Sequence, residues 1–197
     1  MAASHTTVTK IYRPASLPVA PKYGHAVKEK MLPIQPKTIF ALIFCLVSLS
    51  ANGSAIQKAD IIVVYKSKSK LLLKLDGKTI KEYKVVFGNN PKGQKQRLGD
   101  GRTPEGRYLL DYKNSHSAFY KSIHVSYPNE EDRRRARNLG VEPGGDIMIH
   151  GQKNGFGWLG FAVQWFNWTD GCIAVKNSDM DDIWNAVDAG TPIEIYP

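Results

Sequence analysis

The stretch IIVVYKSKSKLLLKLDGKTIKEYKVVFG (61–88) decides the fold. Three short runs, IIVVY (61–65), KLLLKL (70–75) and KTIKEYKVVFG (78–88), are β-branched or aromatic and are broken by Lys/Ser or by Asp76-Gly77. An Asp-Gly pair between two such runs is a hairpin signal. RYLLDY (107–112), AFYKSIHVSY (118–127), DIMIHG (146–151) and TPIEIY (191–196) read as further strands. Spacing this tight leaves no room for crossover helices, so the sheet is expected to be mostly antiparallel.

Two helices interrupt the strands. NEEDRRRARNLG (129–140) follows Pro128, starts acidic and ends at Gly140, in keeping with the helix dipole. Its Arg133, Arg134, Arg135 and Arg137 read as a solvated face rather than an anion patch. SDMDDIWNAVDAG (178–190) carries Met180, Ile183, Trp184 and Val187 at helical spacing, an apolar stripe for the core. Ser178 with Asp181 resembles a capping box. The fold class expected is mainly β with two helices: a mixed, mostly antiparallel sandwich or barrel-like domain over 58–197.

The rest of the chain is organised differently. Residues 1–30 hold three prolines and no periodicity, and read as disordered or as lying upstream of a true start at Met31. Residues 31–55 combine Lys37, preceded by Lys28 and Lys30, with an apolar run from Ile39 to Ala51 and small residues, the pattern of a signal peptide or a short membrane anchor. Export to the periplasm or cell envelope is the localisation that follows. Cys45 falls in this run after the bulky Phe44, which speaks against lipidation there.

Charge is unevenly placed in a chain whose formal net charge is +9. Residues 1–57 have six Lys/Arg against one Asp/Glu, and residues 58–197 have 21 against 17. The folded region is only mildly basic, which speaks against a nucleic-acid partner. Two cysteines in unlike contexts offer no disulfide framework and no zinc ribbon. His116, His124, His150 and Cys172 are irregularly spaced for zinc, and no metal or other cofactor is expected.

His150 ends the DIMIH run and precedes Gly151; Cys172 lies 22 residues later between Gly171 and the apolar IAV. A thiol nucleophile needs a base to accept its proton and a third group to hold that base. A strand end fixes an imidazole, and a glycine beside the thiol lets backbone N–H groups approach an oxyanion. Spacing alone leaves a buried structural Cys and His as the alternative.

TDGCIAV (169–175) with IHGQ (149–152) resembles the signature of the L,D-transpeptidase catalytic domain. The likeness extends to GDGRTPEGRY (99–108), to the segment leading to His150, and to the closing helix and strand. The resemblance implies Cys172 as nucleophile, His150 as general base and acid, and the Gly151 carbonyl as the group orienting the imidazole. It implies an oxyanion hole from the N–H groups of Asp170, Gly171 and Cys172. The implied reaction is acyl transfer on peptidoglycan stem peptides, from a donor stem to an amine acceptor. Carbapenems are then expected as covalent ligands of the thiol, and the domain is expected to work as a monomer.

Two positions depart from the family pattern: Asp170 stands where His is common, and Ala174 where Arg is common. Arg102 and Lys176 are the candidate replacements for that Arg. Trp158, Trp165 and Trp168, in FGWLGFAVQWFNW (156–168), are candidates for the wall of a substrate groove. The alternatives are a hydrolytic relative (carboxypeptidase or amidase), a non-catalytic wall-binding module, and a cytoplasmic thiol enzyme. The Cys–His pair speaks against the second, and the signal-like segment against the third.

Overall fold

The chain reverses at Asp76-Gly77 with both residues at positive φ, 50° and 74°, the backbone a two-residue hairpin requires. In this computed structural model, which describes residues 57–197, the turn joins β2 (Lys70–Leu75) to β3 (Lys78–Lys84). β1 (Ile61–Tyr65) lies antiparallel to β2. The remaining strands are β4 (Gly106–Asn114), β5 (Ser122–Val125), β6 (Met148–His150), β7 (Ile173–Ala174) and β8 (Thr191–Tyr196).

All eight strands form one sheet in the order β3-β2-β1-β8-β4-β5-β6-β7. Five neighbouring pairs are antiparallel; β1–β8 and β6–β7 are parallel. The mostly antiparallel mixed sheet expected from strand spacing is therefore present, and its two edges meet. Just beyond β3, the Val86 N–H donates to the Ala174 carbonyl at 3.0 Å, and the Val86 carbonyl accepts from the Ala174 N–H at 2.9 Å. The sheet curls far enough for its first and last strands to touch through Val86, which gives the barrel-like form.

The concave side is packed with Ile62, Val64, Leu71, Leu73, Phe87, Leu110, Ile149, Ile173, Ile193 and Ile195, all essentially without exposure. Helix α1 (Glu130–Leu139) starts at a complete capping box, with Asn129 and Asp132 each accepting from the other's backbone N–H, and ends at Gly140 in the left-handed region. Two of its four arginines are committed to their own helix: Arg135 pairs with Glu131 and Asp132, and Arg137 with Glu130. Helix α3 (Asn177–Ala186) contributes Met180 and Ile183 to the core, with Val187 just past its end and Trp184 against its edge.

Two details differ from the sequence reading. The Ser178–Asp181 capping box does not form, because α3 begins one residue earlier than Ser178 with Lys176 as its uncapped N-cap; the Ser178 hydroxyl bonds Asp179 instead. A third helix, the short α2 (Gly160–Val163), follows a single 3-10 turn in the aromatic segment.

One loop is fixed by buried charge. Lys66, 7% exposed, donates to the carbonyls of Gly93 and Thr103 and pairs with Glu105 at 2.8 Å. Asp100 accepts from Lys95 and from the N–H groups of Gln96, Arg97 and Arg102. A buried carboxylate with four donors is well compensated. Its partners hold it below the usual carboxylate range, although burial, the largest single influence, pushes the other way. This loop carries the glycine-rich GDGRT segment to the candidate site.

Among the described residues no helix is long and apolar enough to cross a membrane. The readings made on residues 1–55, including Cys45, fall outside the described residues.

Candidate active site

Three pieces of backbone converge on Cys172. The first is the β6–β7 parallel pair, in which Ile149 faces Ile173 and His150 faces Ala174. One step back along that register sets Cys172 beside Met148. Residues opposite one another share a sheet face, so Met148, His150 and Cys172 lie together on one side while Ile149 and Ile173 go into the core. His150 and Cys172 are diagonal neighbours, about 7–8 Å apart at Cβ by ordinary sheet spacing, within reach of a long side chain.

The second piece is the loop Thr169-Asp170-Gly171. The Thr169 hydroxyl donates to the Cys172 carbonyl at 2.7 Å and accepts from the Gly171 N–H at 3.2 Å, clamping the turn. Gly171 has φ +131°, and a Cβ there would sit 2.6 Å from the Arg102 carbonyl oxygen. That carbonyl belongs to the third piece, the loop held by Asp100. Gly88 makes a still closer approach: a Cβ on it would lie 2.0 Å from the Gly101 carbonyl oxygen. Only glycine permits these backbone contacts.

His150 is 4% exposed, ringed by Phe119 at 4.7 Å and Trp168 at 5.7 Å between centroids. Its Nδ1 lies 2.6 Å from the Gly151 carbonyl oxygen. A carbonyl can only accept, so the proton sits on Nδ1 and Nε2 is left with its lone pair free to take one. Gly151 itself has no room for a side chain, since a Cβ would meet Asn177 Oδ1 at 2.7 Å. Asn177 Oδ1 in turn accepts from the Gln152 N–H. The Cys172 thiol is half-buried and donates to the Asp146 carbonyl at 3.5 Å. Asp146 holds a left-handed φ of 54° that presents this carbonyl.

Burial lowers His150 from its ordinary value of 6.5, against a smaller raising effect of the Gly151 carbonyl. Burial, aided by the negative charges of Asp170 and Asp146, raises Cys172 above its ordinary 9, although the Met148 backbone N–H favours the thiolate. Both shifts favour the uncharged forms, a thiol beside an imidazole. From these forms, an attack by sulfur would require its proton to pass to Nε2.

The pH dependence follows in sign. His150 with a depressed pKa stays an unprotonated base below pH 6.5, so the acidic limb of kcat/KM should fall below that value. Iodoacetamide should alkylate free Cys172 slowly at neutral pH and quickly only above pH 9. An alkylation midpoint at or below neutrality would show a preformed ion pair and contradict this resting state.

Cys172 opens onto two cavities of about 370 Å³ each. One is walled by His150, Phe119, Ser122, Trp168 and Met148. The other is walled by Asn89, Lys95, Leu98, Gly101 and Ile147. Asp146, Asp170 and Cys172 line both. The one lysine there, Lys95, is already paired with Asp100.

Of the sequence candidates, Cys172, His150, Gly151, Asp170, Gly171 and Trp168 come together here. Arg102 does not: its guanidinium donates to the Gln94 carbonyl, and it serves the site through its backbone oxygen. Lys176 is exposed at the start of α3 and lines neither cavity. Trp158 and Trp165 are 77% and 71% exposed and stand outside the cavities, because the buried amides of their segment turn the aromatic rings outward. Phe119, Asp146 and Thr169 were not singled out from sequence. Thr169 lies inside the TDGC motif and Asp146 follows a Gly-Gly pair, which are usable signals; Phe119 carries none.

His124 lies on the strand face opposite Ile123 and Val125, stacked on Tyr112 with Nδ1 2.6 Å from Asp111. Among the described residues no three His, Cys, Asp or Glu side chains are placed to hold a metal.

Comparison with known proteins bears on the family and the fold. The model of the YkuD family, the L,D-transpeptidase catalytic domain, matches residues 59–195. YafK of Escherichia coli (strain K12), which carries the L,D-transpeptidase name provisionally, is 32% identical over 124 residues, 58% of this chain and 43% of YafK. The chain thus spans less than half the length of this relative. Among solved structures, the helical cell shape determining protein Pgp2 of Campylobacter jejuni superposes with a TM-score of 0.54 at 25% identity, over 68% of this chain and 46% of Pgp2. Bd1075 of Bdellovibrio bacteriovorus shares the fold, with a TM-score of 0.50 at 22% identity over 73% and 52% of the two chains.

Proposed function

The chain belongs to the YkuD family of L,D-transpeptidase catalytic domains, and from that premise we propose that it is an exported cysteine acyltransferase acting on peptidoglycan stem peptides. The observation that carries the reading is Cys172 placed where two cavities meet, with a buried, correctly tautomerised imidazole in one of them. A transfer between two stems needs a nucleophile reachable from two sides.

In the first half-reaction the Cys172 sulfur attacks the carbonyl of the third stem residue while its proton passes to His150 Nε2. The carbonyl oxygen becomes an oxyanion held by backbone N–H groups around Gly171. The Gly171 N–H is drawn toward Thr169, so those of Asp170 and Cys172 are the principal donors. Collapse breaks the C–N bond, His150 returns its proton to the leaving amine, and a thioester remains. In the second half an acceptor amine attacks the thioester, losing a proton to His150; the C–S bond breaks and the thiolate is reprotonated. Water in place of the amine gives hydrolysis. The Campylobacter relative determines helical cell shape, which is consistent with an enzyme that alters wall connectivity.

Mass spectrometry of muropeptides after incubating the purified chain with wall fragments tests this. New dimers joined through the third residue are expected. Shortened stems alone would make it the hydrolytic relative, and unchanged muropeptides would leave a wall-binding module.

Carbapenems should acylate Cys172, since a strained lactam offers a carbonyl to the same thiol. The reaction should be slow, because Asp146 and Asp170 face the drug's carboxylate and no unpaired cation lines either cavity. Intact mass should show one drug added to wild type and none to Cys172→Ala. An adduct on both would remove Cys172 from the nucleophile's role.

A further inference from the structure

Five aromatic side chains stand out of the domain on one eleven-residue segment. Phe156 is 50% exposed, Trp158 77%, Phe161 72%, Trp165 71% and Phe166 72%. At ~200 Å² per aromatic side chain this leaves on the order of 600 Å² of apolar surface in water, at or above the largest patch of an ordinary soluble monomer. The mechanism uses none of these rings.

The segment is not loosely attached. Gln152 Nε2 donates to the Val175 carbonyl at 2.6 Å and Gln164 Nε2 to the Ala174 carbonyl at 3.4 Å. Asn154 bonds Ser117 and Tyr120, and Asn167 Oδ1 accepts from the Phe87 N–H. Each of the four amides between 152 and 167 thus hydrogen-bonds another segment of the domain, Gln152 and Gln164 from buried positions, while the aromatic rings point out. Residues 147–168 contain no carboxylate, and Lys153 is their one formal charge with His neutral. Lys84 lies over the Trp165 ring at 4.5 Å, adding a cation at the rim.

We propose that this aromatic face is a bilayer-docking surface, which lays Trp158, Phe161, Trp165 and Phe166 into the interfacial zone of an anionic phospholipid membrane. Tryptophan and phenylalanine on one face with lysine beside them is the composition that partitions there. The charge is complementary: the folded region has 21 Lys/Arg against 17 Asp/Glu, and the face itself has no acid to repel a phosphate. A glycan strand is the poorer fit, because sugar hydroxyls want side-chain hydrogen-bonding partners and the amides here already bond other segments of the domain. Docking would hold the Trp168 end of the segment, and with it the Cys172 cavity, next to the membrane.

The test uses the intact chain with vesicles of phosphatidylethanolamine and phosphatidylglycerol carrying brominated acyl chains, which quench tryptophan only at bilayer depth. Wild type should show blue-shifted emission quenched about twofold, since two of its four tryptophans lie in the face. A Trp158→Phe/Trp165→Phe chain, left with Trp168 and Trp184, should show no quenching even where it still pellets with vesicles through residues 39–51. Phe161→Glu/Phe166→Glu, which keeps the reporters, should abolish quenching with no loss of folded circular dichroism. Vesicle-bound wild type without quenching would overturn the proposal. So would a blue shift on lipid-free wall sacculi but not on vesicles, which would assign the face to the glycan. Emission already blue-shifted in a dimer without vesicles would assign it to a second copy.

Discussion

Cys172→Ala is expected to leave a folded domain that has lost acyl transfer by roughly 10⁴-fold or more. The thiol contributes little to stability: it is half-buried, and its hydrogen bond to the Asp146 carbonyl is a long 3.5 Å. Its removal should cost about 1 kcal/mol or less. His150→Ala should cost nearly as much activity, because a neutral thiol cannot attack unless its proton has somewhere to go. It should also cost more stability, about 1–3 kcal/mol, since the ring fills space against Phe119 and Trp168. The double variant should be no slower than either single one, as groups that act as a unit are not additive. Additive losses would mean that thiol and imidazole work separately. Steady-state rates on defined stem peptides, with thermal melts alongside, separate these outcomes.

Gly171→Ala should be a severely damaging change for a single methyl group. The residue combines a φ of +131° with a Cβ position 2.6 Å from the Arg102 carbonyl oxygen and 3.2 Å from Ile147 Cδ1. The contact is backbone on backbone, so no side chain can rotate away. Relief requires the loop of 169–172 to lift off the Asp100-held loop, which turns the N–H groups of Asp170 and Cys172 out of line. A stability loss of about 2–4 kcal/mol is expected, from strain and lost packing together. Turnover should drop by roughly 10²-fold or more, the usual result of an ångström's misplacement. Gly190→Ala is the control: its φ of +92° is also left-handed, but nothing lies within 4 Å of the added methyl. It should lose some stability and keep full activity. Equal activity losses at both positions would show that global destabilisation, not the local approach, is responsible.

Much of this was legible from local sequence. The Asp76-Gly77 turn, the strands around it and the apolar stripe of α3 are short-range patterns, and short-range patterns survive folding when the core reinforces them. That His150 and Cys172 share one sheet face followed from no local spacing; the pair was singled out through the resemblance carried by TDGCIAV and IHGQ, and the register of β6 with β7 brings them together. What was not legible is long-range. The parallel pairing of β1 with β8 joins the two ends of the domain, and the Val86–Ala174 contact closes the sheet. Neither pairing leaves a signal in a local window. Arg102 was read as a cation for substrate because its side chain carries the charge; the fold uses its carbonyl instead. Trp158 and Trp165 were read as groove walls because aromatics usually seek cover. Here the amides of Gln152 and Gln164 take the inside positions and leave the rings outside.

The account rests on a thioester at Cys172, and single-turnover intact-mass measurement tests that most directly. The chain is mixed with a stem tetrapeptide donor, without an amine acceptor, and quenched in acid within the first turnover. Wild type should gain the mass of the donor less its terminal D-residue, on the peptide containing Cys172, and should lose it on adding an amine. A Cys172→Ala protein that still turns over, or an acyl group found on any other residue, would contradict it.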